Sequence, residues 1–205
     1  MQNIESVEPK KRNTRKPIVI PYETVKEILT KIQNPIDQFV LTFLYATGCR
    51  LGEFELCQIN CIEQKENHIE ITVPTLKKRS KEKPIRIIPI IQINPNPRHP
   101  SEKWICNILT SYLEPRLKKF YEEKTKNPNL IFSIPTINPY SRRTIQNRTE
   151  LYLNIFPHCL RHTRNTHLTT IFGFSSSDRI KWNNWFSDLP QYTHLEIDDL
   201  IRKMT

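Results

Sequence analysis

Residues 68–91 read HIEITVPTLKKRSKEKPIRIIPII. The first six alternate polar and apolar, with His68, Glu70 and Thr72 set against Ile69, Ile71 and Val73. That is the period of a half-buried strand. Ile85–Ile91 is rich in isoleucine and predicts a second strand. Between them, Pro74–Pro84 carries Lys77, Lys78, Arg79, Lys81 and Lys83, which makes this segment a β-hairpin with a basic tip. The flanks have a different period. Upstream, Val25, Ile28, Leu29 and Ile32 fall at helical spacing. Asn34-Pro35 ends that helix, and Pro35 suits the first turn of the next. The second helix carries Phe39, Val40, Phe43 and Leu44 and stops at Thr47-Gly48, a C-cap sequence. A third is expected from about Arg50 to Gln58. Downstream, a helix over 101–124 is interrupted by Pro115, and a Pro/Asn-rich loop fills 127–140. Helices follow over 141–153, 159–172 and 177–185. Helices, a small antiparallel sheet, then helices again define an α+β domain, mostly α.

The chain has 205 residues, the scale of one domain with a modest core, 37% of its residues being hydrophobic. Its three glycines, Gly48, Gly52 and Gly173, cannot build a G-x-G-x-x-G turn or a Walker loop, so neither route to nucleotide binding is open. No apolar run approaches the roughly 20 residues of a bilayer span. The first residues, MQNIESVEPKKRNTRKP, hold no apolar signal core. The sequence therefore reads as cytoplasmic and without a membrane partner. Five cysteines, an odd count, point to reduced thiols. Cys57-x3-Cys61 has no second pair to complete a zinc site, and neither a metal nor a cofactor is expected. A net charge of +10 favours a polyanionic partner. Residues 1–20 carry Lys10, Lys11, Arg12, Arg15 and Lys16 and read as a flexible basic arm, either tracking phosphates or serving as a linker.

Three further segments carry chemistry. The first, Ala46-Thr47-Gly48-Cys49-Arg50-Leu51-Gly52-Glu53, places Arg50 at a helix start just after a glycine turn, where both the guanidinium and the helix N-terminus favour an anion. Arg50 and Glu53, three residues apart, also read as a surface ion pair of little consequence. The second, His158-Cys159-Leu160-Arg161-His162, presents an imidazole and a guanidinium on one turn, followed by Asn165 and His167. These are the groups that hold a phosphate and move a proton. His158 and His162 also have metal-ligand spacing, but Arg161 puts a positive charge inside the motif and the glutamate of H-E-x-x-H is missing. The third is Tyr192-Thr193-His194, preceded by Trp185.

Together these segments resemble the catalytic domain of the tyrosine recombinases, or phage integrases. That family shows T-G-x-R-x-x-E, a basic hairpin, H-x-L-R-H, a His or Trp, and Y-x-H, in that order. The resemblance runs from about Pro21 to Leu195, so 21–195 is the expected catalytic domain. It implies that Tyr192 attacks a DNA phosphate and forms a 3′-phosphotyrosyl bond without metal or ATP. It implies that Arg50 and Arg161 clamp the non-bridging oxygens, that His158 moves a proton, and that Trp185 donates its indole N–H. Trp185 lies twelve residues after Gly173, the family spacing, with Trp182 as its competitor. A hairpin lysine, Lys77 with Lys78 and Lys81 as rivals, would protonate the leaving 5′-oxygen. Arg79, Lys83 and the other hairpin cations, with Lys11, Arg12 and Arg15 of the arm, would contact double-stranded DNA through its phosphates. Family members act as tetramers on synapsed DNA. The segment 196–205, with Leu200 and Ile201 in a helical period, would dock on the next protomer or close its own core.

The sequence departs from the family pattern in three places. A basic arm of about twenty residues stands where the family usually has an N-terminal helical domain. Asn184 replaces the usual glycine before the His/Trp, and the Trp185–Tyr192 segment is short. Two other functions therefore stand beside recombination or integration of a mobile element. One is a non-catalytic or truncated DNA-binding regulator of a full-length recombinase. The other is a nicking-closing enzyme like the type IB topoisomerases.

Overall fold

The computed structural model describes residues 18–76, 85–93, 99–127, 133–183 and 201. Three helices come first: α1 (Tyr22–Lys31), α2 (Pro35–Thr47) and the single turn α3 (Leu51–Phe54). A sheet of β1 (Ile62–Gln64), β2 (His68–Pro74) and β3 (Ile85–Ile91) follows. Four more helices complete the order: α4 (Lys103–Lys126), α5 (Arg142–Leu153), α6 (Pro157–Thr170) and α7 (Ser176–Asn183). The fold is mostly helical with one small antiparallel sheet, as the sequence predicts.

α2 is the core of the helical layer. Asn34 caps it by accepting from the Ile36 and Asp37 N–H groups at 2.9 and 3.1 Å, and Pro35 takes the N1 position, where its missing donor costs nothing. From Phe39 to Thr47 every residue is buried, because α1, α4, α5 and α6 surround it. Gly48 ends it in the left-handed conformation (φ 56°), and its N–H donates to the Leu44 carbonyl. β2 and β3 pair antiparallel from His68↔Ile91 to Pro74↔Ile85, with Ile69, Ile71 and Val73 turned fully inward.

Three details differ from the sequence reading. The helix expected over 50–58 stops at Phe54. Beyond it the backbone of 57–59 pairs with residues 135–137 instead, the Ile59 N–H donating to Pro135 and the Ile137 N–H to Cys57, each at 2.9 Å. Pro115 does not interrupt α4. It sits on the exposed face, where the Ser111 carbonyl that loses its helical donor is open to solvent. β1 adds a third strand whose three residues are too few to show a period. Among the described residues no helix is long and apolar enough to cross a membrane.

Candidate active site

The site is built where the α2–α3 loop meets α6 and the sheet. The left-handed turn at Gly48 sends the chain back so that Arg50 becomes the N-cap of α3. Glu53, three residues on, accepts from the Arg50 backbone N–H at 2.9 Å and from Arg50 Nη1 at 3.1 Å. This is no surface pair. Glu53 is completely buried, and its Oε2 also accepts from Arg86 Nη2 at 3.2 Å. Arg161, on the second turn of α6, brings Nη1 within 4.0 Å of the same oxygen and donates it to the Gly48 carbonyl. Among the described residues one carboxylate therefore faces three guanidinium cations. Burial, followed by the neighbouring Arg86 and Arg50, pulls the Arg161 pKa down to about 10, which still leaves it cationic at neutral pH.

Arg50, His158, Arg161, His162 and Arg179 line a cleft of about 320 Å³ over this cluster. His158 lies in the first turn of α6, behind Pro157 at N1, and its ring meets His162 edge-on at 4.7 Å. Desolvation lowers the His158 pKa below the usual histidine value, and the adjacent His162, Arg161 and Arg50 lower it further. It is thus held neutral, with a ring nitrogen able to accept a proton. Arg50 and His158 also border a second, less polar cleft of about 570 Å³, whose rim carries Arg142, Arg143 and Gln146 of α5. Arg142 is held there by a bidentate pair with Glu55, at 2.7 and 2.6 Å.

The structure thus brings together three of the six residues expected in the active site: Arg50, His158 and Arg161. Lys77, Trp185 and Tyr192 lie outside the described residues, as do Lys78, Arg79, Lys81, Lys83, Lys11, Arg12 and Arg15. Trp182, the alternative to Trp185, is a core residue, 1% exposed and packed edge-on against Phe174 at 5.6 Å. His167 is structural. Its Nε2–H donates to the Ile20 carbonyl at 2.9 Å, so Nδ1 accepts from Tyr45 Oη at 2.8 Å. Burial holds its pKa near 4. Arg164, one turn beyond Arg161, points inward into a fully buried pair with Glu102, donating Nη2 to Oε2 at 2.9 Å. The five cysteines are free thiols, and burial raises Cys49 to about 11 and Cys61 to about 12. Among the described residues no group of three or more His, Cys, Asp or Glu side chains is placed to hold a metal ion.

Arg86 and the α5 arginines were not among the expected site residues. A signal for Arg86 existed, since a lone arginine inside the isoleucine run of β3 needs a buried partner. Arg142 and Arg143 had none, because a basic helix start looks like any solvated surface.

Comparison with known proteins bears on the family and the fold. The family model described as the phage integrase family matches residues 19–170. The tyrosine recombinase XerC of Bacillus pumilus is 28% identical over 204 residues, covering 93% of this chain and 61% of the relative. Among solved structures, XerA recombinase superposes with a TM-score of 0.51 at 18% identity, over 92% of this chain and 64% of that one. XerH site-specific recombinase bound to a palindromic difH substrate in a post-cleavage complex also gives 0.51, at 14% identity, over 95% of this chain and 54% of that one. At those identities the structures speak for the fold alone. The chain spans about three fifths of the length of the XerC relative.

Proposed function

The chain belongs to the phage integrase family, the tyrosine recombinases, and from that premise we propose that it cuts and rejoins DNA strands in site-specific recombination or integration. The observation that carries this reading is the cluster of Arg50, Arg161 and neutral His158 around one cleft, with Glu53 buried behind the two guanidiniums. Such a cleft suits a phosphodiester. Arg50 and Arg161 bind its non-bridging oxygens and offset the charge that grows on the pentavalent phosphorus.

In the proposed reaction Tyr192 is the nucleophile. His158 takes its phenolic proton as the oxygen attacks phosphorus. The bond to the 5′-oxygen breaks, and a hairpin lysine, Lys77 or its rivals Lys78 and Lys81, protonates the leaving oxygen. Trp185 donates its indole N–H to the phosphate. The 3′-phosphotyrosyl bond keeps the energy of the broken ester, so rejoining by a 5′-hydroxyl requires neither ATP nor metal. The remaining hairpin and arm cations, with Arg143 at the rim, hold the DNA backbone. Exchange of strands between two duplexes requires four protomers on synapsed DNA; the segment 196–205 either docks between neighbours or closes its own core, and Ile201, packed against the chain's own hydrophobic cluster, supports the second. The reading places the protein in the cytoplasm, on the nucleoid.

Covalent trapping tests this. A nicked suicide duplex should yield a denaturation-resistant protein–DNA adduct without metal or ATP, and Tyr192→Phe should abolish it. DNA binding with no adduct on several substrates would instead favour the regulatory, non-catalytic reading. An adduct without strand exchange would favour nicking and closing.

A further inference from the structure

Arg86 is the one cation of the cluster that does not line the cleft. Its side chain leaves β3 just after the basic hairpin and is 5% exposed. Its Nη2 donates to Glu53 Oε2 at 3.2 Å, and its Nη1 donates to the Trp182 carbonyl at 2.7 Å. That carbonyl belongs to the last described turn of α7. The same turn is clasped to α6, with Asn183 Nδ2 donating to Asn165 Oδ1 at 2.5 Å and Asn165 Nδ2 donating to the Arg161 carbonyl at 2.8 Å. One planar fork thus ties the carboxylate behind Arg50 and Arg161 to that turn of α7. Trp185 follows three residues after Trp182, and Tyr192 ten residues after it.

We propose that Arg86 is a positioning residue that fixes the last described turn of α7, which precedes Trp185 and Tyr192 in the sequence, to the carboxylate behind the Arg50–Arg161 clamp. This deepens the reading of the site as a phosphotyrosyl active site and, for its effect on rate, rests on it. Glu53 aligns the two clamp arginines from behind, and Arg86 ties the turn of α7 that contains Trp182 to that same carboxylate, so the clamp and this turn share one buried anchor. A lysine keeps the charge of Arg86, but its three donors sit on a single nitrogen and cannot reproduce the fork. Misplacement of about 1 Å at a reacting group costs on the order of 100-fold in rate.

Arg86→Lys separates geometry from charge. On the suicide duplex its DNA affinity should stay within about threefold of wild type, while single-turnover adduct formation falls about 100-fold. Hydrogen exchange of free protein should be faster in peptides covering 176–192, with α1 and α2 unchanged. Thermal melting establishes that the variant is folded at the assay temperature. If it is not, Arg86→Gln, which keeps a donor for the Trp182 carbonyl without the charge, takes its place and should show the same two effects. Wild-type rate with unchanged exchange overturns the proposal. A rate loss that tracks lost DNA affinity also overturns it, by making Arg86 a charge contribution only. If wild type itself yields no adduct, the phosphotyrosyl reading fails. The exchange measurement then decides alone, faster exchange over 176–192 upholding the anchoring role and unchanged exchange overturning it.

Discussion

Replacing Glu53 by glutamine is the most informative single change. The carboxylate is fully buried and accepts from the Arg50 N–H, Arg50 Nη1 and Arg86 Nη2, with Arg161 at 4.0 Å. Glutamine keeps one acceptor oxygen but turns an NH₂ toward guanidinium groups and removes the carboxylate that the cluster's three arginines share. Removing one partner of a buried ion pair costs about 3–5 kcal/mol. The retained oxygen sets the expectation at the low end, about 3 kcal/mol. That is a large share of a total stability of about 5–15 kcal/mol. With a urea m-value of about 2–3 kcal/mol per molar for a domain of this size, the unfolding midpoint should fall by about 1–1.5 M. Urea titration followed by far-UV circular dichroism measures it. Below the new midpoint the variant should still bind DNA, through its excess of cations, yet form the covalent adduct slowly because the clamp has lost its reference. A midpoint within about 0.3 M of wild type, with unchanged adduct formation, would refute the claim that Glu53 organises the site.

Adduct formation should fall as the pH drops through the depressed His158 value, because the protonated ring accepts nothing. Since His162 is among the groups holding that value down, His162→Asn should move the acid limb to higher pH; an unmoved or downward limb contradicts the assignment. Burial also holds His167 at about 4 against an ordinary 6.5. The unfolded chain therefore takes up this proton first, and stability present above pH 6.5 should decline between about 6.5 and 4. Denaturant titrations at several pH values should show that slope, and His167→Gln should flatten it. Gly48 at φ 56° has room for a Cβ, whose nearest neighbours would be Arg161 Cγ and Asn183 Oδ1 at 3.8 Å, so the strain of Gly48→Ala is purely backbone. A loss of about 1–2 kcal/mol is expected for alanine and less for asparagine, which tolerates the left-handed region. Equal losses in thermal melts would instead indicate steric crowding.

Much of this molecule is legible in the sequence because its signals are local. The Asn34-Pro35 break, the Gly48 cap and the alternation of His68–Val73 each follow from the chemistry of a few adjacent residues, and all three occur in the structure. The resemblance to the tyrosine recombinases groups Arg50, His158 and Arg161 in one site, and the three line one cleft. What escaped depends on pairing between distant residues. Arg86 gains meaning only from Glu53, thirty-three residues earlier, and from a carbonyl ninety-six residues later. Arg164 and His167 sit in the same helix as Arg161 and look equally available in sequence. The burial of Glu102, Tyr45 and Ile20 beside them makes them structural. The helix expected to Gln58 failed for a related reason, since backbone pairing with residues 135–137 outweighed local helix preference.

In the proposed reaction Arg50 and Arg161 hold the phosphate being cut. Single-turnover adduct formation on a suicide duplex, compared among wild type, Arg50→Ala and Arg161→Ala at saturating protein, tests it most directly. Losing one such donor costs about 3–4 kcal/mol in the transition state, so each variant should form adduct about 100- to 1000-fold more slowly once bound. Adduct formation by either bound variant at the wild-type rate would contradict the account.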